Sequence, residues 1–338
     1  MSAHFALDIS SSTIKVAEAK VKNNGFELLA FGETRTPISL QSDSPTDEAM
    51  LVNTVKQLLV DSQIQSQSAY IALPESSVYT RVIQIPILEE KELDNALKFE
   101  AEQYIPFPME EVYLEHQILY QPAKTTANAK MDVLLVAAKK FMVDKLIRVA
   151  ELCEVAPMVI ESALLSVIRA LQSQVGKNAL VVDSGENSTN VAIIIDGLIK
   201  QTSSIPTSGK SLTQAIAQTL SLSESQAKQY KHTYGLESSL LEGKIAQALQ
   251  PSVTAISNHV LKNLRFASTL LNSGKINQVI LSGGTALLPN FPQFLLSQLD
   301  VEVNIANPLS NCLNSNLPQQ LVSAAPRFTT VIGLALRE

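Results

Sequence analysis

An aspartate at the end of a predicted strand, followed by a short polar turn, is the pattern in this chain most suited to chemistry. In LVVDSGENSTNV, from Leu180 to Val191, an apolar run reaches Asp183, small polar residues follow, and a second apolar run begins. A carboxylate in this position can hold a hard cation through water, and the free N–H groups of the turn can face a phosphate. By itself, the pattern is more typical of an ordinary hairpin with a Gly/Asn turn.

A second copy of the pattern near the N-terminus changes this interpretation. LDISSSTIKVA, from Leu7 to Ala17, again places an aspartate, Asp8, at a strand end before a turn of small hydroxyl residues. A glycine and then a proline follow both copies, as if each half ran through a three-strand meander. The repeat therefore predicts two similar halves that face each other across a cleft.

Glycines at two later positions complete a candidate nucleotide site. In SIPTSGKSLT, Gly209 lies immediately before a predicted helix, where the backbone can approach a ligand. In SGGTALLPNF, Gly283 and Gly284 end a predicted strand, and residues without a Cβ let the backbone lie against a flat ring or a ribose. A lone glycine pair is a weak signal, but after two aspartate turns it predicts one site built from both lobes.

Length and composition indicate a fully folded protein with two lobes. The 338 residues exceed what one hydrophobic core usually serves, and 46% of them are hydrophobic. The formal net charge of −6, without a cluster of Lys or Arg, argues against a nucleic-acid surface, because phosphate binding needs a basic face.

Cysteine usage and hydropathy predict a cytoplasmic location. The two cysteines, Cys153 and Cys312, lie far apart without metal-ligand neighbours, so neither a disulfide framework nor a zinc site is expected. The chain reaches Asp8 before any apolar run could form a secretory signal. The uncharged stretch Ile276 to Leu299 contains prolines and glycines, so it predicts a buried strand and turns rather than a membrane span.

The elements that must position these residues fall into four parts. A strand, helix, strand, strand, helix pattern predicts a small inserted α+β domain, and helices at Ser223–Tyr234 and Ser252–Leu271 predict a helical subdomain. A further helix is predicted from Glu161 to Gln174, and the segment Phe328 to Arg337 is expected to fold back onto the first lobe. The expected boundaries are 1–77, 155–177 and 322–338 for lobe 1, 78–154 for the inserted domain, 178–215 and 276–321 for lobe 2, and 216–275 for the helical subdomain.

The inserted segment contains a candidate partner site. Its amphipathic helix ends at two prolines, and Tyr104, Ile105 and Phe107 surround them. This turn is either a partner surface or a packed loop. Because the apolar stripe of the helix is needed for the domain's own core, an extended partner is expected to use the groove around Ile105 and Phe107.

These motifs resemble those of the actin, Hsp70 and sugar-kinase ATPase superfamily. More narrowly, the chain resembles the PilM family, the FtsA-like proteins of type IV pilus assembly. That resemblance rests on LDISSSTIKVAE, ELDNALKFEAEQYIPFPMEEV, VVDSGENSTNV with IPTSGKSLT, and LSGGTALLPNF with the terminal GLALR. It covers essentially the full length. It implies an actin-like two-lobe α/β fold with duplicated phosphate-loop halves and an inserted SHS2-type domain.

The resemblance also implies a site for ATP and Mg²⁺. Asp8 and Asp183 would flank the Mg²⁺ ion, the two turns would hold the phosphates, and the glycine pair would line the adenosine. The implied cofactor-binding residues are Ser10, Ser11, Ser12, Thr13, Lys15, Gly185, Asn187, Ser188, Thr189, Asn190, Gly209, Lys231, Gly283, Gly284 and Thr285. For Lys15, an ordinary solvated strand lysine is the alternative.

Several positions depart from the family pattern. Lys228 stands where relatives carry a glutamate that holds the adenosine, and Ser10 replaces a usual glycine. Ser184 and Glu186 alter the second turn. Glu161 falls where relatives carry a water-orienting acid and is the catalytic candidate, although an acid at a helix start also complements the helix dipole. Slow or absent hydrolysis is therefore expected.

The implied function is a cytoplasmic ATP-binding scaffold of a type IV pilus, peripheral to the inner membrane through its partner. That partner is the cytoplasmic N-terminal tail of the membrane protein PilN. Other inner-membrane platform proteins and self-association are further candidates, whereas neither nucleic acid nor direct membrane insertion is expected.

Two alternatives stay open. An FtsA-type division protein should end in an amphipathic membrane-targeting helix, whereas this chain ends at GLALRE directly after its last predicted element. A small-molecule kinase of the same superfamily needs a catalytic carboxylate in a polar substrate pocket, for which the sequence offers no convincing candidate.

Overall fold

The structure, a computed structural model, describes residues 4–88, 90–123, 129–271 and 275–338. The strands are β1 (Phe5–Ile9), β2 (Thr13–Lys22), β3 (Gly25–Arg35), β4 (Ser68–Leu73), β5 (Val78–Pro86), β6 (Val112–Tyr120), β7 (Lys130–Lys139), β8 (Ala156–Ser162), β9 (Ala179–Ser184), β10 (Thr189–Ile195), β11 (Leu198–Ile205), β12 (Gln278–Ser282) and β13 (Glu302–Ile305). The α-helices are α1 (Pro45–Asp61), α2 (Glu90–Tyr104), α3 (Lys140–Leu152), α4 (Ala163–Ala170), α5 (Gln172–Val175), α6 (Gly209–Leu220), α7 (Glu224–Tyr234), α8 (Lys244–Leu270), α9 (Phe291–Leu299), α10 (Gln319–Ala324) and α11 (Thr329–Ala335).

Two five-stranded sheets repeat one strand order, which confirms the predicted duplication. Lobe 1 has the order β3-β2-β1-β4-β8 and lobe 2 has the order β11-β10-β9-β12-β13. In each sheet, the first three strands in sequence form an antiparallel meander and the other two run parallel to its first strand. Asp8 and Asp183 therefore occupy equivalent places near the ends of β1 and β9.

Helices cover both faces of each sheet, so the central strands are largely apolar up to the ends that carry Asp8 and Asp183. In lobe 1, α1 and α3 pack on one face and α11 packs on the other. In lobe 2, α6, α8 and α9 cover one face. On its other face, α4 contributes Leu164, Val167 and Ala170 to a buried cluster with β9, β10 and β12.

Because α4 also packs against α11, it lies between the two lobes. A Cβ at Gly333 would fall 1.8 Å from the Ser166 carbonyl oxygen, so glycine is needed for α11 to approach α4 this closely. Val331, Ile332 and Leu334 of α11 are buried in the lobe 1 core. The final segment thus folds back onto the first lobe, as the sequence predicts.

The inserted domain has a three-stranded antiparallel sheet in the order β5-β7-β6, covered on one face by α2. Its core includes Leu93 and Leu97 of α2. The helix α3, which the sequence prediction assigns to this domain, instead packs into the lobe 1 core through Met142 and Leu146. Since β7 continues directly into α3, no turn residues signal this change of domain.

A segment after β13 crosses from lobe 2 to lobe 1. The backbone N–H of Phe26 donates to the Asn311 carbonyl (3.1 Å) and that of Leu313 donates to the Phe26 carbonyl (2.8 Å). Leu309 is buried in the lobe 1 core. The sequence prediction places residues 276–321 wholly in lobe 2, but the free edge of β3 offers this segment backbone partners.

One predicted helix start agrees with the structure and two differ. A capping box at Ser223 opens α7, which ends at Tyr234 as predicted. The helix α8 begins at Lys244, well before the predicted start, and contains a proline. The predicted helix from Glu161 is wrong at its start, because Glu161 lies in β8 and α4 begins at Ala163. Within the described ranges, no helix is both long and apolar enough to cross a membrane.

Candidate functional site

Asp8 and Asp183, one from each lobe, lie close enough for the charge of Asp8 to raise the pKa of Asp183. Lys15 Nζ lies 3.9 Å from Asp8 Oδ2. Burial raises the pKa of Asp183 to about 6, a hydrogen bond from Ser282 opposes the rise, and the negative charge of Asp8 adds to it. Burial also raises the pKa of Asp8, against the effect of the nearby Lys15. The structure thus brings both predicted metal-facing carboxylates to one place.

This pair of carboxylates fits a divalent cation. Lys15 supplies one positive charge, but its Nζ is shared with Glu33 Oε1 at 3.8 Å and donates to Thr13 Oγ1 at 2.7 Å. Asp8 is buried and Asp183 is half-buried, so with only this partial compensation from Lys15 the pair is costly when both carboxylates are ionised. In the described part of the chain, no cluster of three or more His, Cys, Asp or Glu could hold a metal ion. The pair suits Mg²⁺, which takes one or two carboxylates together with waters and phosphate oxygens.

The first turn is closed by Ser10, the residue that replaces the family glycine. The Ser10 backbone N–H and hydroxyl both donate to the Thr13 carbonyl, at 3.0 and 2.8 Å. The Thr36 hydroxyl donates to the Ser10 carbonyl at 2.6 Å. Ser11 is exposed and Ser12 is half-buried, so these two residues are the ones available to a phosphate.

The second turn is built on buried hydroxyl contacts. The Gly185 N–H donates to the Ser188 carbonyl at 3.0 Å, and the Ser184 and Thr189 hydroxyls lie 2.8 Å apart. Thr189 also donates to the Thr207 carbonyl at 2.7 Å and is fully buried. Thr189 is a predicted cofactor contact, but its hydroxyl is committed to shaping the turn.

Asn190 is likewise buried, and its Oδ1 accepts a hydrogen bond from the Ser204 hydroxyl at 2.8 Å. It pairs with Asp183 in the β9–β10 ladder, so it supports the strand that carries the aspartate. Of the second turn, Asn187 is exposed and Ser188 is half-buried. These residues present the accessible part of the loop.

The start of α6 docks on this turn. The Gly209 N–H donates to the Gly185 carbonyl at 3.0 Å, and a Cβ at Gly209 would lie 2.8 Å from Glu186 Oε2. Gly209 is therefore needed for close contact with the turn, whereas the sequence interpretation assigns it to contact with a ligand. Two backbone hydrogen bonds, from the N–H groups of Gly209 and Lys210, thus join the helix start to the loop.

Lys231 holds the other side of the same helix turn. Its Nζ donates to the Gly209 carbonyl at 2.7 Å and to Thr213 Oγ1 at 2.9 Å. The side chain is 4% exposed, and burial lowers its pKa. The predicted contact of Lys231 with adenosine thus differs from the observed geometry, in which the ammonium group is bonded within the protein.

The two glycines after β12 have different surroundings. Gly283 has φ +84°, and a Cβ there would fall 2.4 Å from the Ser184 carbonyl oxygen, so this residue fits only as glycine. Its N–H donates to the Pro326 carbonyl at 2.9 Å. A Cβ at Gly284 would meet no atom of the described chain within 4 Å. Gly284 therefore leaves open space for a flat ligand, while the neighbouring Thr285 is buried.

Glu161 is a buried carboxylate that pairs with two partly exposed arginines. Arg169 Nη2 donates to Glu161 Oε2 at 2.8 Å, Ser166 donates to Oε1 at 2.6 Å, and Arg337 pairs with Oε2. Burial raises the pKa of Glu161, but the hydrogen bonds and charges of the two arginines and Ser166 lower it below its usual value. Both carboxylate oxygens are occupied, which does not fit the predicted water-orienting role.

The sequence analysis does not identify Glu75, a carboxylate just beyond β4. Its Oε1 accepts hydrogen bonds from the Leu164 backbone N–H (2.8 Å) and from the Ser162 hydroxyl. Burial raises its pKa to about 7; the two hydrogen bonds oppose the rise, and the charge of Asp183 adds to it. The signal in the sequence is a carboxylate that follows the apolar run AYIAL by two residues, the same kind of strand end that carries Asp8 and Asp183.

The predicted partner turn is more covered than the sequence suggests. Ile105 is 8% exposed and belongs to the core of the inserted domain, so it cannot line an open groove. Tyr104 and Phe107 are partly buried. The Arg81 guanidinium lies 4.0 Å from the centre of the Tyr104 ring, and Lys139 Nζ lies 4.5 Å from that of Phe107. Of the three predicted partner residues, Tyr104 and Phe107 thus remain partly accessible.

Comparison with solved structures supports an actin-like fold. The PilM–PilN type IV pilus biogenesis complex contains a chain with TM-score 0.88 and 25% sequence identity, covering 99% of this chain and 98% of that one. MreB5 of Spiroplasma citri bound to AMPPNP gives TM-score 0.54 at 13% identity, covering 98% of this chain and 95% of that one, which is a likeness of fold.

Sequence comparison gives a more specific assignment than the fold does. The cell division protein FtsA of Staphylococcus epidermidis is 25% identical over 255 residues, which are 69% of this chain and 54% of FtsA. The chain thus spans about half the length of the curated relatives it matches. The family model described as type IV pilus assembly protein PilM matches residues 6–338. The chain therefore belongs to the PilM family of type IV pilus assembly proteins.

Proposed function

We propose that this chain is an ATP-binding cytoplasmic scaffold that binds the tail of PilN in a type IV pilus assembly complex. The observation that carries the proposal is the family match over residues 6–338, together with near full-length similarity to a chain of a PilM–PilN complex. The FtsA relatives match a smaller share of the chain, which favours the pilus function over cell division. Association with the inner membrane would follow from PilN, and contacts with other platform proteins and self-association remain predictions.

In this proposal, Mg·ATP binds between the two aspartate turns. Asp8 and Asp183 face the metal, the accessible residues Ser11, Asn187 and Ser188 contact the phosphates, and Gly284 lies against the adenosine. Lys15 can meet a phosphate, because its ammonium group already lies beside Asp8. Bound Mg²⁺ supplies charge neutralisation for the phosphates. The nucleotide would act by favouring one arrangement of the lobes, and only a difference in affinity between arrangements can do so.

The inserted domain is joined to lobe 2 by direct contacts. Lys200 Nζ of β11 lies 2.5 Å from Asp132 Oδ2 of β7, and Asp132 is 4% exposed. The Thr202 hydroxyl of β11 donates to the Thr80 carbonyl of β5 at 2.9 Å. Because β11 belongs to the sheet that holds the second aspartate turn, a movement of lobe 2 on nucleotide binding acts directly on these contacts.

Lys200→Ala is expected to reduce the effect of ATP on the affinity for a PilN-tail peptide. The variant removes the ion pair that joins the two parts, and coupling between two ligands requires such a connection. Peptide affinity measured with and without Mg·ATP gives the coupling factor for each protein. Lys177→Ala, at an exposed position just before β9, is the control and should keep the wild-type factor. An unchanged factor in Lys200→Ala would exclude this contact as the connection.

Phe107→Ala is expected to weaken binding of a synthetic PilN-tail peptide by about tenfold, because a partly buried aromatic side chain is a typical anchor of an interface. Fluorescence anisotropy measures the affinity, and circular dichroism confirms the fold. Tethering several tails to a membrane raises their effective concentration, so a modest intrinsic affinity is sufficient.

The control for this variant is Phe99→Ala, which removes a 67% exposed aromatic residue from α2 of the same domain. It should leave both peptide and ATP affinities unchanged. Wild-type affinity in a folded Phe107→Ala variant would place the partner site elsewhere. Failure of the wild-type chain to bind the peptide would contradict the proposed function itself.

A further inference from the structure

The position of Glu75 places a carboxylate at the cleft, on the same edge of lobe 1 as Asp8. In the sheet, β4 lies between β1 and β8, with Ala72 opposite Asp8 and Leu73 opposite Ser162. Glu75 follows β4 by two residues. Ligands of α/β sheets bind beyond the carboxyl ends of parallel strands, which is the edge where Glu75 lies. The charge of Asp183 in lobe 2 acts on Glu75, so the carboxylate is within electrostatic reach of the opposite lobe.

One oxygen of this carboxylate is fixed and the other is free. Oε1 accepts from the Leu164 N–H in the first turn of α4 and from the Ser162 hydroxyl that precedes the helix. Oε2 has no hydrogen-bond partner within residues 4–88, 90–123, 129–271 and 275–338. Two donors on one oxygen hold the group in place and leave the other oxygen able to accept a hydrogen bond from water.

Glu161, the water-orienting acid that the family resemblance implies, cannot orient a water molecule in the observed geometry. Glu161 binds Arg169 through both oxygens, and Ser166 and Arg337 add further donors. A carboxylate whose charge is so strongly compensated is a weak proton acceptor. Glu75 has no arginine or lysine ion pair among the described residues.

We propose that Glu75 orients the water molecule that attacks the terminal phosphate of the bound nucleotide and accepts its proton. This inference rests on the proposed nucleotide site. Water oxygen forms a bond to the γ-phosphorus, the bond from that phosphorus to the bridging oxygen of ADP breaks, and the water proton passes to Glu75 Oε2. The proton then leaves to solvent, so that ATP and water yield ADP and phosphate. A raised pKa, about 7, suits a group that accepts and releases a proton near neutral pH.

The test is single-turnover hydrolysis by the full chain, with ATP, Mg²⁺ and protein in excess of nucleotide. Glu75→Gln keeps the size of the side chain and an acceptor oxygen, but it cannot take a proton. The hydrolysis rate should fall by about 100-fold, the lower end of what a general base contributes, while the Kd for ATP stays within about twofold. After a fixed incubation, mass spectrometry should find ATP bound to the variant and ADP bound to the wild-type chain.

Two variants control for indirect effects. Glu154→Gln changes an exposed glutamate and should hydrolyse ATP at the wild-type rate. Ser162→Ala removes one of the two donors to Oε1 and should lower the rate less than Glu75→Gln does, with the Kd for ATP unchanged. If Glu75→Gln does not fold, Glu75→Asp takes its place, with a lower rate and intact ATP affinity as the expected result.

Hydrolysis by Glu75→Gln at the wild-type rate would overturn the inference, as would equal losses of ATP affinity and rate. A wild-type chain that binds ATP but never hydrolyses it would also overturn it, while leaving the proposed nucleotide site intact. A wild-type chain that binds no ATP would instead contradict the proposed function, a distinguishable result.

Discussion

Asp183→Ala should weaken Mg·ATP binding by about tenfold to 100-fold, in line with losses on disturbing a metal site. The substitution removes one of the two charges that would face Mg²⁺, at a carboxylate whose pKa the charge of Asp8 already raises. The free energy of unfolding should change much less, because Asp183 lies at a partly exposed strand end. Calorimetric titration with ATP, in the presence and absence of Mg²⁺, measures the effect.

The control is Asp43→Ala, which removes an exposed aspartate from the segment before α1 and should bind Mg·ATP like the wild-type chain.

The raised pKa of Asp183 also predicts that Mg·ATP affinity depends on pH. Because the pKa of Asp183 is raised to about 6, falling pH protonates this carboxylate near pH 6 and removes the charge that a cation needs. Wild-type affinity should therefore decrease below pH 6. Equal affinity of Asp183→Ala and wild type would show that the two turns do not form one metal site.

Glu161→Gln should lower the free energy of unfolding by about 2–3 kcal/mol, less than the roughly 3–5 kcal/mol of a fully buried pair, because Arg169 and Arg337 lose their counter-charge but stay partly exposed to solvent. The Glu161 side chain is 5% exposed, and Arg169 and Arg337 both pair with it. These contacts join the end of β8 to α4 and to the residues after α11, so their loss affects the region between the lobes. Urea denaturation followed by circular dichroism measures the change.

The matched control is Glu154→Gln, which breaks a pair with Lys56 whose side chains are 87% and 43% exposed. Exposed pairs of this kind contribute about 0–1 kcal/mol.

The lowered pKa of Glu161 also determines how the free energy of unfolding changes with pH. Its contribution to stability is complete above its unfolded-state pKa, about 4.3, and is lost as pH falls through the lower folded-state pKa. Equal losses in the two variants would show that the buried cluster contributes no special stability.

The repeated architecture could be predicted because its signals are local and occur twice. Each lobe opens with an apolar strand, an aspartate and a polar turn, and the observed sheets have the same order around Asp8 and Asp183. The helix predicted from Ser223 is also determined locally, because a capping box between Ser223 and Gln226 opens it. These features depend on residues close together in sequence, so a single chain reveals them.

Domain boundaries that depend on tertiary packing could not be predicted in the same way. The helix α3 follows β7 without a turn, and only its burial against α1 places it with lobe 1. The segment that meets Phe26 lies nearly 300 positions later in the chain, and backbone hydrogen bonds to an edge strand leave no pattern in side chains.

The candidate site shows the same limit for individual side chains. Lys231 matches a family position, but in the structure its ammonium group holds the first turn of α6. Glu161 also matches a family position, yet Arg169 and Arg337, at distances of 8 and 176 residues, neutralise it. Glu75 matched no motif, and its importance depends on Ser162 and Leu164, which only the fold brings near.

Native mass spectrometry of the purified wild-type chain, after incubation with excess Mg·ATP and removal of free nucleotide, tests the central claim most directly. The proposed site predicts one adenine nucleotide per chain, with Mg²⁺ retained in the wild type and the bound fraction strongly reduced in Asp183→Ala. A bare wild-type chain, or equal retention of nucleotide by wild type and Asp183→Ala, would contradict a nucleotide site formed by the two aspartate turns.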